Sequence, residues 1–238
     1  MVNYSILELE LCEAIGLSRR PVVVTFLPHP PEGVRKFAGK APSGCSFFSI
    51  AAGDMAFYTV AADHYNCAVG CYAYNLPLPE DHAGQLEKSF PSFSSTCSVG
   101  IDDIRSVSRK GKNPEVVVYA PLGETPVEPD IVVFVVRPLQ CMFLQEAAMR
   151  RQIAVSVVPF GRPTCMSLHS VMEDNAVTSA GCMGNRVYNA LGDDEMYMLI
   201  PGRLLKKVAD EVQFIVAANL KLAEKYVERR NSIETVLE

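Results

Sequence analysis

The chain has 238 residues, of which 49% are hydrophobic and 21% are charged, and its formal net charge is -5. This composition is typical of a globular protein with a large core. The mild acidity, without a stripe of Lys and Arg, argues against nucleic acid as a partner. No apolar run approaches the ~20 residues that a membrane span needs. The first ten residues carry acidic side chains where an export signal would be basic, so we expect a cytoplasmic protein.

The first half of the chain predicts two helices and a buried strand. Residues 4–16 carry apolar side chains at helical spacing and end in glycine, which predicts an amphipathic helix with a glycine cap. Residues 22–27 form a continuous β-branched and aromatic run that is typical of a buried strand. A second helix is predicted from about residue 45 to residue 58. Residues 76–114 are rich in Pro, Ser, Gly and charge, and predict irregular or weakly helical surface.

The remainder predicts alternating strands and helices. Four further strands are predicted, at residues 116–121, 131–136, 153–158 and 196–201. Three further helices are predicted, at residues 140–151, 165–172 and from residue 204 towards the C-terminus. This alternation favours an α/β fold with a mixed sheet and helices, in which residues 1–238 form a single domain.

Two cysteine-containing stretches resemble each other. Residues 67–75 and 182–189 both read Cys, Gly, any three residues and Tyr-Asn, with a slip of one residue. An upstream cysteine precedes each stretch, Cys45 in the first case and Cys165 in the second. We therefore expect two pseudo-repeats, about residues 17–129 and 130–225, related by an approximate twofold axis. The alternative is that buried strands look alike and the short motif recurs by chance.

A duplicated unit with two cysteines per copy could bring four thiolates to one point. The candidate metal ligands are Cys45, Cys67, Cys165 and Cys182. Four thiolates suit a [4Fe–4S] cluster, which would give the protein a redox or electron-transfer role. A cysteine at the start of a helix has a lowered pKa and is a ready ligand. The partner would then be a redox protein or a small molecule.

Neighbouring residues add to this candidate site. Gly70 and Gly184 follow cysteines and would let the backbone approach a cofactor. Arg186 could hold an anion or a carboxylate, or it could bind the acidic run at residues 193–195.

Other metal chemistry stays open at this stage. Zinc is the nearest alternative, because Cys165 with His169, and His64 with Cys67, give mixed sulfur and nitrogen ligands. A non-covalently bound tetrapyrrole is a further alternative. Cys71 is the best candidate for an additional ligand. A thiol enzyme with His64 or His169 as its base ranks last, since four paired cysteines exceed what a nucleophile needs. The C-terminal helix could pack on its own core or across a homo-oligomer interface.

Several segments together resemble one known family. They are residues 21–27, Cys45, residues 67–70, residues 129–133, Cys165, residues 181–186 and residues 194–201. Over roughly residues 5–215 the chain resembles the domain-of-unknown-function 169 (DUF169) family. The resemblance implies cysteines at the four candidate ligand positions and no particular activity. Cys71 lies where the family pattern is not cysteine.

Overall fold

The computed structural model describes residues 2–53, 55–77, 79, 113–158 and 163–234. The strands are β1 (Val22–Leu27), β2 (Arg35–Lys36), β3 (Phe57–Val60), β4 (Val116–Pro121), β5 (Ile131–Val136), β6 (Val155–Val157), β7 (Ala176–Ser179) and β8 (Met196–Pro201). The α-helices are α1 (Tyr4–Ile15), α2 (Ser46–Gly53), α3 (Ala68–Ala73), α4 (Pro138–Arg150), α5 (Met166–Met172), α6 (Met183–Tyr188) and α7 (Gly202–Glu234). Short 3-10 turns cover Ala61–His64 and Leu122–Glu124.

All eight strands form one mixed sheet in the order β2-β3-β4-β1-β5-β8-β7-β6. The pairs in the middle of the sheet are antiparallel, and the outermost pair at each edge is parallel. The two central strands, β1 and β5, are the β-branched runs that the sequence marks as buried strands. Both are covered on both faces, which explains why their sequences do not alternate between apolar and polar residues.

Helices cover both faces of this sheet. On β1, Val22 and Val24 belong to one core cluster and Val23 belongs to the other, because successive side chains of a strand point to opposite faces. The first cluster lies under α2, α3 and α5, and we call this side the cysteine face. The second lies under α1, α4 and α7. The chain is thus a mixed α/β protein, as predicted.

The predicted first helix is confirmed, and Gly16 caps it in the left-handed region at φ 65. The predicted helix from residue 45 to residue 58 is wrong in its second half. It ends at Gly53, and Phe57 begins an edge-side strand instead. Residues 45–58 are apolar at most positions, so a helical period and a strand period are hard to distinguish there. Strands β2 and β7 and the short helices α3 and α6 were not predicted. Most of the segment 76–114 lies outside the described residues.

The C-terminal helix α7 packs on the body only through its first half. Leu205, Val208 and Val212 are buried against α1 and α4, and Ile215 is the last buried apolar residue of the helix. Every described side chain from residue 220 onward is exposed. No helix in the described part of the chain has the length and apolar character required to cross a membrane.

Candidate four-cysteine site

Each of the four candidate cysteines lies at the start of a short helix. Cys45 directly precedes α2, and Cys67, Cys165 and Cys182 are the N-cap residues of α3, α5 and α6. The backbone N–H groups of a first helical turn have no partner within the helix, so they can face a nearby sulfur atom. Gly70, in the first turn of α3, donates its N–H to the Cys67 sulfur at 3.3 Å.

The four thiols are close enough to influence one another electrostatically. Burial raises the pKa of Cys165 well above its usual value, and charge on Cys67, Cys45 or Cys182 raises it further. Burial also raises the pKa of Cys45 to about 11, with further increases from Cys67 and Cys182. Cysteines from two distant parts of the sequence therefore lie within range of one another's charge on the cysteine face. In this environment the thiols of Cys45 and Cys165 are neutral near pH 7, so the lowered pKa expected from their places at helix starts is wrong: burial outweighs the helix terminus.

Polar groups around the sulfurs partly oppose the effect of burial. The Ser43 hydroxyl lies 3.1 Å from the Cys45 sulfur, and together with the Asn185 amide it lowers the pKa that burial has raised. For Cys67 burial raises the pKa, and the N–H groups of Gly44 and Gly70 lower it. These contacts stabilise a thiolate more than a thiol, because a charged acceptor makes the stronger hydrogen bond.

Gly70 and Gly44 lie where a side chain would crowd the cysteine site. A Cβ atom on Gly70 would lie 3.0 Å from the Cys67 sulfur, and one on Gly44 would lie 3.2 Å from Nδ1 of His64. Gly70 was predicted from its place after a cysteine. Gly184 lies inside α6, where a Cβ atom would meet only the Tyr188 ring at 3.8 Å, so no close approach restricts that position.

Arg186 holds a loop rather than a side-chain carboxylate. Its guanidinium donates to the carbonyl oxygens of Gly192 at 2.8 Å and Glu195 at 3.1 Å. The Glu195 carboxylate pairs instead with Arg19 at 2.7 Å. The predicted role of Arg186 in anion binding stays a prediction.

His64 is buried beside the cysteines. Its Nε2 lies 2.8 Å from the Thr59 hydroxyl, which itself donates to the Val117 carbonyl oxygen at 3.2 Å. Since the hydroxyl has one proton, it accepts from Nε2, so the ring carries its proton on Nε2 and a lone pair on Nδ1. Nδ1 has no hydrogen-bond partner. Burial lowers the pKa of His64 to about 3.

The remaining thiols lie in different surroundings. Cys71 is buried, donates to the His64 carbonyl oxygen at 3.2 Å, and has a pKa that burial and Cys67 raise to about 12. Cys141 belongs to the core on the opposite face of the sheet. Cys97 and the side chain of His169 lie outside the described residues. In the part of the chain that the structure describes, no three or more His, Cys, Asp or Glu side chains have an arrangement that could hold a metal ion.

Three polar residues next to the thiols were not predicted as part of the site. Tyr74, Tyr119 and Asn185 are each 1% exposed or less, and their side-chain polar atoms have no hydrogen-bond partner. Tyr74 belongs to the repeated Tyr-Asn motif, so the sequence held a signal for it. Tyr119 lies inside an apolar strand and Asn185 inside a short helix, and neither position carries such a signal.

The fold defines an α/β protein with four cysteines from separate segments on one face of a mixed sheet. The sequence profile of the DUF169 family, described as "Uncharacterised ArCR, COG2043", matches residues 10–211. The chain belongs to this family, and the resemblance noted in its sequence is confirmed. No curated protein and no solved structure matches it.

Proposed function

We propose that the protein binds a [4Fe–4S] cluster through Cys45, Cys67, Cys165 and Cys182 and serves in electron transfer or in a redox step. The observation that carries this proposal is the electrostatic interaction among these four thiols on the cysteine face. Thiolates are the ligands that such clusters require, and four of them complete the set. We place the protein in the cytoplasm, with a redox protein or a small molecule as its partner.

We infer an internal duplication, which would make the two cysteine pairs equivalent and so support this assignment. Val23 of β1 pairs with Val132 of β5 in the middle of the sheet. A twofold rotation about that pair would exchange β1 with β5. It would also place β2, β3 and β4 where β6, β7 and β8 lie, so the strand order would be unchanged. The parallel edge pairs also correspond.

The register of the strands agrees with the same duplication. Thr59 of β3 pairs with Val117 of β4, and Ser179 of β7 pairs with Tyr197 of β8. The separation of 120 residues between Thr59 and Ser179 equals the separation between Cys45 and Cys165. A twofold arrangement of this kind brings one cysteine pair from each half towards the shared axis.

The donor set fits a cluster chemically. Cys45 and Cys165 lie among apolar and aromatic side chains, and the N–H groups of Gly44 and Gly70 face the Cys67 sulfur. Hydrogen bonds to sulfur and the exclusion of water set the reduction potential of such clusters. Because metal ligation requires thiolates, binding would release protons and draw the four sulfurs closer than they stand in the described structure.

The bound group would supply one-electron chemistry, and the chain would supply ligands, orientation and a dry environment. The short helices α2, α3, α5 and α6 present the four sulfurs, and the aromatic rings of Phe47 and Tyr119, 5.1 Å apart, exclude water from one side.

The test is metal and sulfide analysis of protein purified without oxygen. We expect a brown protein with iron and acid-labile sulfide, and loss of both in Cys45→Ser and Cys165→Ser. Cys12→Ser is the matched control, because Cys12 lies on α1 at the opposite face of the sheet. Wild-type protein that stays colourless and free of iron after reconstitution would contradict the proposal.

Zinc is a second candidate, which His64 favours. Six residues separate the end of β3 from Cys67, whereas two separate the end of β7 from Cys182, and the longer segment carries His64. The lone pair on its Nδ1 gives a nitrogen donor beside thiols, a combination that suits zinc. Elemental analysis that finds zinc without sulfide would select this candidate over the cluster.

A further inference from the structure

Buried polar atoms without a partner are concentrated on the cysteine face. In the described part of the chain, such side-chain atoms belong to His64, Tyr74, Tyr119, Ser167, Asn185 and Asn189. A buried donor without an acceptor is costly to a fold and is rare in native proteins. The atoms among them that interact with the cysteines therefore point to a group that they contact when the site is loaded.

Tyr119 is the donor from the first half of the chain. Its ring is fully buried, between Phe47 at 5.1 Å and Phe57 at 5.6 Å. Its hydroxyl adjoins that of Tyr74, but the two do not form a hydrogen bond of ordinary geometry. Burial raises the pKa of Tyr119 well above its usual value, and charge on Cys45 raises it further, so the hydroxyl keeps its proton.

Asn185 is the donor from the second half. It lies on α6, one turn beyond Cys182, and is 1% exposed. Its amide acts on the Cys45 thiol, which belongs to the other half of the chain. Neither its nitrogen nor its oxygen has a hydrogen bond of ordinary geometry.

We propose that Tyr119 and Asn185 are positioning residues that donate hydrogen bonds to sulfur atoms of the group bound by the four cysteines. A neutral thiol is a weak acceptor, whereas a metal-bound thiolate or sulfide carries negative charge and accepts strongly. Loading the site would therefore give each orphaned donor an acceptor. This inference rests on the proposed function and adds two residues that the cysteine pattern does not contain.

The experiment compares Tyr119→Phe and Asn185→Leu with wild type after anaerobic reconstitution with iron and sulfide. Both changes remove a donor and nearly preserve side-chain volume. We expect a more negative midpoint potential in each variant, since lost donors no longer stabilise the reduced, more negative state. We also expect iron to be retained about 10–100-fold less tightly against a chelator. Tyr58→Phe is the control, because Tyr58 lies on β3 between two residues that face the cysteines and so points to the other side of the sheet.

The outcomes separate this inference from the proposed function. Suppose that wild type takes up iron and sulfide, and that both folded variants keep its midpoint potential and its retention of iron. The donor role is then refuted, and the proposed cluster binding is unaffected. If wild type takes up neither iron nor zinc, the proposed function fails and the donor role fails with it. Tyr74→Phe gives the same measurement should Tyr119→Phe not fold. A purely structural role would alter thermal stability without moving the potential.

Discussion

Acid should destabilise the metal-free protein through His64, and the size of the effect can be worked out. His64 has a pKa of about 3 in the folded state, against 6.5 for an unperturbed histidine, because burial disfavours the charged ring. The unfolded chain therefore binds a proton that the folded chain does not, over the range between these two values. Stability is fully present above pH 6.5 and falls as the pH falls below it.

At about pH 5 this difference corresponds to about 2 kcal/mol of lost stability, since each pH unit below the unfolded value contributes about 1.4 kcal/mol. The substitution His64→Gln removes the titrating ring and keeps an N–H that can reach Thr59. We therefore expect the wild type to lose about 2 kcal/mol more than His64→Gln between about pH 7.5 and about pH 5.

Urea unfolding of the metal-free proteins at both pH values measures this difference. The substitution also removes packing against Phe47, which lowers the free energy of unfolding equally at both pH values. This contribution cancels when the change in free energy between the two pH values is compared for the two proteins. His29→Gln is the control for the substitution itself, because His29 is exposed whereas His64 is buried. Equal losses in wild type and His64→Gln would refute the assignment of a buried neutral imidazole.

Three further predictions concern the site and the scaffold. Gly70→Ala should weaken metal retention about tenfold or more in a chelator competition, because the new Cβ would lie 3.0 Å from the Cys67 sulfur; unchanged retention would contradict this geometry. Glu8→Gln should lower the free energy of unfolding in urea by about 2 kcal/mol, since the buried Glu8 carboxylate accepts from a guanidinium and a backbone N–H, whereas exposed Glu10→Gln should change it little. Removing residues 220–238 should leave the unfolding midpoint nearly unchanged, because the described side chains of that segment are exposed; a large loss would mean that they make stabilising contacts.

The predictability of the elements followed the strength of their local patterns. Strands β1, β4, β5 and β8 are continuous apolar runs, and their positions agree with the prediction. Helix α1 has helical spacing and a glycine cap, and it also agrees. Strands β3 and β7 have only four residues each, and β3 follows an apolar helix without a clear break. Short edge-side strands depend on pairing with a neighbour, so local sequence identifies them poorly.

The candidate site shows the same division. Cys45 and Cys165 were expected at the starts of the helices predicted from residues 45 and 165, and both lie at helix starts. The role of Arg186 could not be predicted from composition, because two backbone carbonyl oxygens compete for it with the acidic side chains nearby. Tyr119 could not be assigned either, since a tyrosine inside an apolar strand looks like any other core residue until its neighbours are known.

The sequence by itself determined the family, the α/β character and the four cysteines that recur at matching positions, since each of these depends on local pattern. Tertiary structure alone decided that the four cysteines lie on one face of the sheet, because the register of β1 against β5 and the pairing at both sheet edges bring residues more than a hundred positions apart together. It also decided which polar atoms are buried on that face. Burial and electrostatic interaction depend on distance in space, and no local spacing encodes that distance.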